Sequence, residues 1–309
     1  MALEAATRAG PAATSGAHVS RSTTGPVQVS GEVLTVKRVG AYHHVTLVAP
    51  GVADRFRPGN FVALAVGGAL SDRLLRRTFV IYRVRPTGAY GGTVEVVFAV
   101  TEPGTLWLSK LSSGTAVDVV GPLGRPYALP KEPVACTLVG GGCGSAPLFS
   151  LAERLRERGC GVHMVLGGST GNRLFGALEA KRAAKTVVVT TEDGSIGIKG
   201  AVTDVLPDVL ARTSSDVVYA CGPMAMLHAV AETAERHGAW SQTAVEVSMA
   251  CGTGVCMTCV LPVVGEDGVT RMVRACVDGP VFRGDRVRWD DLDMIPEGTL
   301  GAPRRGGPQ

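Results

Sequence analysis

The chain has 309 residues, enough for two or three domains, and is 45% hydrophobic and 19% charged with 41 glycines, the composition of a globular protein with many tight turns. A formal net charge of +4, small and dispersed, gives no basis for nucleic-acid binding. No apolar run reaches the length of a transmembrane helix, so membrane insertion is not expected.

Residues 1–25 are rich in Ala, Ser, Thr and Gly and lack the compact apolar core of a secretory signal. They are expected to form a disordered extension, and 301–309 likewise. From 26 to 128, short β-rich runs alternate with turns. Strands are expected at 31–39, 43–49, 60–66, 78–83, 93–100 and 116–120, with one short helix at 105–111. Strands without a long helix predict a small six-stranded antiparallel barrel.

From 129 to 240 the rhythm changes. A strand at 134–139 runs into the Gly-rich turn Gly140-Gly-Gly-Cys-Gly-Ser-Ala-Pro147, then an amphipathic helix at 148–158 and a strand at 161–166. Further strands are expected at 186–190 and 217–219, and helices near 177–184, 202–210 and 223–236. This alternation predicts parallel βαβ units and an α/β domain. The last section, 241–300, holds a cysteine-rich loop and a few short strands. No internal repeat is present.

That loop carries the strongest chemical signal. Cys251, Cys256 and Cys259 read C-x4-C-x2-C, and Cys276 follows after sixteen residues. Thiolates are the usual ligands of iron–sulfur clusters, and this is the spacing of the plant-type 2Fe–2S loop. Gly252 and Gly254 suit a backbone that wraps a cluster closely. The rival is structural zinc, which favours paired C-x2-C knuckles, and only one such pair exists here. Eight cysteines without an export signal predict a reducing, cytoplasmic compartment. Cys136, Cys143, Cys160 and Cys221 are expected to be free thiols.

The remaining motifs are individually weaker. The glycines Gly140, Gly141, Gly142 and Gly144 occupy the first βα turn of an open parallel sheet, where a nucleotide pyrophosphate binds at a helix N-terminus; the plain alternative is a tight turn that binds nothing. Cys221-Gly222-Pro223 ends a later strand and leaves Cys221 facing the same crevice, though a free cysteine more often packs as a small hydrophobe. In Arg76-Arg77-Thr78-Phe79 an arginine fork could clamp a diphosphate, or be plain solvated surface. Gly104 and Thr105 would offer backbone N–H groups at the start of the short helix. Arg173 follows the second strand of the α/β section, where it could meet a 2′-phosphate. The histidines show no ligand spacing.

Together, Arg77-Thr-Phe-Val80, Gly104-Thr105 and Gly121-Pro-Leu-Gly124 resemble the flavin domain of the ferredoxin–NADP reductase superfamily, and 140–147 with Cys221-Gly-Pro223 its pyridine-nucleotide domain. Met249-Ala-Cys-Gly-Thr-Gly-Val-Cys256, Cys259, Cys276-Val-Asp-Gly-Pro280, Thr191-Glu-Asp-Gly-Ser195 and Lys199-Gly200 look like the electron-transfer subunit family of heteromeric, NAD-dependent dihydroorotate dehydrogenase. The resemblance runs from about residue 27 to 293 and implies several assignments. FAD lies between barrel and α/β domain, lined by Arg77, Thr78, Phe79, Val80, Val97, Phe98, Ala99, Gly104 and Thr105. NAD(H) lies at Gly140, Gly141, Gly142, Gly144, Gly222 and Pro223, with Cys221 near the nicotinamide in a catalytic position. A 2Fe–2S cluster sits on Cys251, Cys256, Cys259 and Cys276. The implied partner is an FMN-containing dihydroorotate dehydrogenase catalytic subunit of pyrimidine biosynthesis, in a heterotetramer.

The chain departs from the family pattern at the flavin motif. Arg-Pro-x-Ser is usual where Thr78 and Val80 stand, an arginine is common at Ala99, and Cys143 fills a slot that is usually aliphatic. The missing hydroxyl and guanidinium predict altered FAD contacts. Rival classes are a stand-alone reductase feeding an oxygenase, an arm of a hydrogenase or transhydrogenase complex, and a cluster-bearing sensor or scaffold.

Overall fold

The computed structural model describes residues 25–302 except 69, 70, 72 and 88–90, so the two expected disordered extensions lie almost wholly outside the described residues. The first six strands are β1 (Val27–Val39), β2 (Tyr42–Val48), β3 (Phe61–Leu64), β4 (Arg77–Thr87), β5 (Gly91–Ala99) and β6 (Ala116–Leu123), with α1 (Pro103–Leu108) between the last two. They close into an antiparallel barrel in the order β1-β2-β5-β4-β3-β6. Alternating aliphatic residues fill it: Val33, Val45, Leu47, Leu64, Ile81, Val94, Val96 and Val119 are fully buried.

The second unit runs β7 (Ala135–Gly141), α2 (Ala146–Glu157), β8 (Gly161–Gly168), α3 (Ala177–Ala183), β9 (Thr186–Thr191), β10 (Ile198–Lys199), α4 (Val202–Thr213), β11 (Val217–Cys221), α5 (Met224–Arg236) and β12 (Trp240–Ala244). Its strand order is β10-β9-β8-β7-β11-β12, all parallel. The chain moves outward from β7 to β8 and later returns to β7's other side as β11. The carboxyl ends of β7 and β11 therefore flank the point where the winding reverses, the position at which open α/β sheets receive ligands.

The last unit is built on the first two. A hairpin of β13 (Val260–Val264) and β14 (Thr270–Arg274) follows the cysteine loop, and β15 (Val281–Arg283) pairs antiparallel with β12 as a seventh strand of the central sheet. Phe61, Ala63 and Leu123 of the barrel share one apolar cluster with Cys259, Leu261, Ala275, Cys276 and Phe282. The cysteine-bearing section thus packs directly on the barrel rim.

β10 is not among the strands expected from the sequence, and β12 to β15 are the short strands expected, without bounds, in the last section. β12 reads Trp-Ser-Gln-Thr-Ala, with Ser241, Gln242 and Thr243 all buried. Gln242 is satisfied internally, whereas the buried Thr243 hydroxyl has no hydrogen-bond partner. The Gln242 amide accepts from Ala128 N (2.9 Å) and donates to Ala128 O (2.8 Å), so a polar strand is tolerated inside the sheet.

Barrel and sheet are joined by an aromatic seam. Tyr82 of β4 meets Phe149 of α2 and Phe175 edge-on, at ring separations of 6.0 and 5.5 Å. The Tyr82 hydroxyl donates to Glu179 of α3, and Arg83 donates to the other oxygen of the same carboxylate. Among the described residues no helix is long and apolar enough to cross a membrane.

Candidate functional site

A cleft of about 370 Å³ opens between the barrel and the carboxyl ends of β7 and β11. Strands β4 and β5 form its barrel wall. Pleating sorts the residues expected there. Phe79 and Phe98 turn into the barrel core, 5.0 Å apart, and border the cleft from inside. Arg77, Thr78, Val80 and Ala99 are part-exposed and Val97 is nearly buried; all five line it. Gly144, Pro147 and Cys221 close the opposite side, beside Val245, Glu246 and Met249.

At one corner the structure adds a residue that the sequence reading passes over. Glu102 is the N-cap of α1, and its carboxylate accepts from Gly104 N at 2.7 Å and Thr105 N at 2.5 Å. The Thr105 hydroxyl accepts in return from Glu102 N at 3.2 Å, completing a reciprocal cap. Arg77 Nη2 donates to the same carboxylate at 2.8 Å, and Arg77 Nη1 to Leu75 O, also at 2.8 Å. The Arg77 bond, helped by the two amides and opposed by burial, holds the Glu102 carboxyl down at about 2. Glu102-Pro-Gly-Thr105, with proline at the first helical position, is the signal that could have found it.

A second cleft, of about 560 Å³, lies over the winding reversal and shares Ala99, Cys143, Gly144 and Glu246 with the first. Gly141, Gly142 and Pro223 line it, as do Arg173, Glu192 and Thr203. Gly144 and Gly222 bring two turns backbone to backbone: a Cβ on Gly144 would sit 2.7 Å from Gly222 Cα. Gly140 lies below the cleft, against Ser145. Tyr42 donates to Arg173 O at 2.8 Å and ties the barrel to the far wall.

Cys221 faces the first cleft from the end of β11 and is 6% exposed. Burial, reinforced by Glu246 and Cys143, pushes its thiol far above the ordinary range, so it stands as a neutral S–H group and not as a thiolate. Burial and Glu246 push Cys143 the same way. Glu246, at the junction of both clefts, carries no motif and could be found only in three dimensions.

The cysteine quartet lies next to β4, where Gly252 meets the Thr78 side chain. Gly252 and Gly254 adopt positive φ, and so does Met257, giving a loop that coils around the Cys251 sulfur. That sulfur accepts N–H bonds from Thr253 and Val255 at 3.4 Å and from Cys256 at 3.5 Å. Burial would raise the Cys251 thiol, but these donors outweigh it and bring it down to about 5. Cys259 and Cys276 are buried and adjacent; burial and then Cys259 push Cys276 up to about 12. Arg274 Nη1 donates to Gly254 O at 3.0 Å and pins the loop to β14. Among the described residues no three His, Cys, Asp or Glu side chains converge on one ion position. The donor set itself fits a two-iron cluster: four sulfurs, with backbone N–H groups aimed at one of them.

Comparison with known proteins agrees with this layout. Residues 246–288 match the model of the iron–sulfur cluster binding domain of dihydroorotate dehydrogenase B, and residues 138–232 that of the oxidoreductase NAD-binding domain. The chain is 37% identical over 247 residues to the dihydroorotate dehydrogenase B (NAD(+)) electron transfer subunit of Geobacillus thermodenitrificans, covering 79% of this chain and 92% of that one. With the corresponding subunit of Listeria monocytogenes it shares 37% identity over 75% of this chain and 87% of the other. Among solved structures, an NADH-dependent reduced ferredoxin-NADP oxidoreductase superposes with a TM-score of 0.73 at 32% identity, covering 85% of this chain and 91% of that one. A ferredoxin NADP+ reductase from Neisseria gonorrhoeae, at 17% identity and a TM-score of 0.56 over 69% of this chain and 92% of that one, shares the fold. The barrel, the switch-point clefts and the cysteine loop are thus those of a known lineage, and the chain belongs to the family of dihydroorotate dehydrogenase B electron transfer subunits.

Proposed function

We propose that the chain is the electron-transfer subunit of an NAD(H)-linked oxidoreductase. FAD occupies the first cleft, NAD(H) the second, and a 2Fe–2S cluster the four cysteines; the electron partner is an FMN-containing dihydroorotate dehydrogenase catalytic subunit, in a heterotetramer. The observation that carries this reading is adjacency. The two clefts share a wall of four residues, and the cysteine loop touches β4 where Thr78, itself a lining residue of the first cleft, meets Gly252.

When bound, these groups supply hydride exchange at the nicotinamide, conversion of an electron pair to single electrons at the flavin, and one-electron carriage at the cluster. The protein's part is placement. Thr78, Val80 and Val97 present a narrow, largely apolar wall for a flat ring, and Gly144 lets the nucleotide-side backbone come close. Arg77 is the cation at the diphosphate corner. Cys221, kept as a neutral thiol, packs at the junction without adding charge beside the nicotinamide. The loop side away from the barrel is apolar and open, with Val255 80% and Met257 51% exposed, and this is the face offered to the partner. A cytoplasmic location is part of this reading, since a reducing compartment keeps thiolates available to an iron–sulfur cluster.

A second reading has its own support. The 0.73 superposition on the NADH-dependent reduced ferredoxin-NADP oxidoreductase, a structure of flavin-based electron bifurcation, favours a reductase arm of an oxidoreductase of that kind. One experiment addresses both. Affinity purification under anaerobic conditions should yield a yellow-brown protein carrying about two irons and two labile sulfides per chain, bleached by NADH. A co-purifying dihydroorotate dehydrogenase subunit supports the first reading, and another flavoprotein the second. One zinc per chain, with no visible absorbance, would overturn both.

A further inference from the structure

We propose that Glu102 is an internal anion that controls flavin loading, its carboxylate filling the place between Arg77 and the Gly104 and Thr105 amides that a flavin diphosphate has to take. The inference rests on the FAD reading above and assigns this chain's own determinant of flavin affinity and specificity.

The corner contains a guanidinium and two backbone donors, the groups that would hold a diphosphate. All three are already turned onto one carboxylate, at 2.8, 2.7 and 2.5 Å. Arg77 Nη1 also donates to Leu75 O, so two of its N–H groups are engaged. The neighbouring Arg76 is engaged too, at 2.8 Å from Asp118. Each arginine of the flavin motif therefore already has a carboxylate partner with which an arriving phosphate competes. Arg77, Glu102 and Thr105 all border the flavin cleft, so this is the cleft's own corner and not a remote ion pair.

A diphosphate arriving here has two courses. It can sit beside the carboxylate, with like charges a few ångströms apart. It can instead displace Glu102, breaking three charge-assisted hydrogen bonds to form its own. Either course subtracts from the affinity that the ring and ribityl contacts provide. A flavin lacking the diphosphate meets no such competitor. Glu102 therefore narrows the advantage of FAD over riboflavin and makes the cofactor exchangeable. Helix α1 is only six residues long, and the charge at this corner comes from Arg77 and the Glu102 carboxylate.

The test is flavin titration of the full chain, deflavinated with its cluster retained, followed by fluorescence quenching. Wild type is compared with E102Q and with E102S. Serine keeps a capping oxygen for α1 and removes the charge, so one variant covers a folding failure of the other. Removing the competitor is expected to tighten FAD by about tenfold or more, the scale of one charge-assisted hydrogen bond. Riboflavin binding should stay within about twofold of wild type, since no diphosphate contact is at stake. Unchanged or weaker FAD binding in both variants, or an equal gain for riboflavin, overturns the proposal. If neither flavin binds wild type or variants, the FAD reading falls and the proposal with it, an outcome distinguishable because riboflavin fails as well.

Discussion

Thr78 and Gly252 are in contact across the boundary between barrel and cysteine loop: the Thr78 Cγ2 methyl lies 3.1 Å from where a Cβ on Gly252 would stand. Thr78 also lines the flavin cleft, so a single residue of β4 separates that cleft from the loop holding Cys251 and Cys256. Gly252 has φ +71°, a conformation that costs an L-residue about 1–2 kcal/mol. Gly252→Ala should add that strain and push the loop off Thr78. In stopped-flow mixing with NADH, the flavin of the variant should bleach at the wild-type rate and the cluster should reduce more slowly. Equal slowing of both phases would show that this contact is not on the route.

The cysteine quartet allows a cleaner separation of functions. Cys259 and Cys276 are each 2% exposed and share an apolar cluster with Phe61 and Leu123 of the barrel. Cys276→Ala should abolish the cluster's visible absorbance and its reduced-state electron paramagnetic signal. NADH should still bleach the flavin, because both clefts are built from other residues. Transfer to an FMN-containing partner should be lost entirely. A variant that still reduced the partner would place the exit elsewhere.

Glu102 gives a pH dependence with a defined sign. Its folded carboxyl lies at about 2, below the ordinary 4.5, chiefly through Arg77. A depressed carboxyl contributes stability above its unfolded value, and that stability is lost as pH falls toward the folded one. The melting temperature of wild type should therefore exceed that of Glu102→Gln at pH 5 and above. The gap should close between about pH 4.5 and 2. A gap that is constant across this window would mean that the carboxylate charge is not what stabilises the corner.

Much of this architecture was written in the sequence, and the exceptions share a cause. The barrel strands alternate apolar residues such as Val94, Val96 and Phe98, and the winding of the α/β sheet follows from strand–helix alternation. The cysteine spacing named the cluster loop directly. By contrast β12 buries Ser241, Gln242 and Thr243, and only its neighbours on β11 and β15 and the Ala128 backbone make that tolerable. Gly104 and Thr105 were recognisable as donors, but that their donors are already spent on Glu102 depends on the rotamer of one residue two positions upstream. Glu246 joins both clefts from a stretch with no motif. Long-range polar satisfaction leaves no periodic trace.

Tyr82 and Arg83 of β4 both donate to the Glu179 carboxylate on α3, and Tyr82 packs edge-on against Phe149 and Phe175. Burial, then Glu179, pushes the Tyr82 hydroxyl far above its ordinary range, so it remains a neutral donor at every working pH. Tyr82→Phe keeps the ring and loses one hydrogen bond to a carboxylate, a cost of about 1.5–3 kcal/mol. Glu179→Ala loses both donors' partner and leaves Arg83 with a 3.4 Å contact to Glu153 and its place over the Tyr82 ring, so its cost should be at least as large. Tyr82→Ala removes the ring as well and should cost about 3–5 kcal/mol. Denaturant unfolding should rank the variants in that order. Because α3 and β4 belong to different units, Glu179→Ala should also raise the KM for NADH while leaving the cluster spectrum unchanged. If the cluster spectrum shifted together with KM, the seam would be supporting the whole molecule and not the alignment of the two clefts.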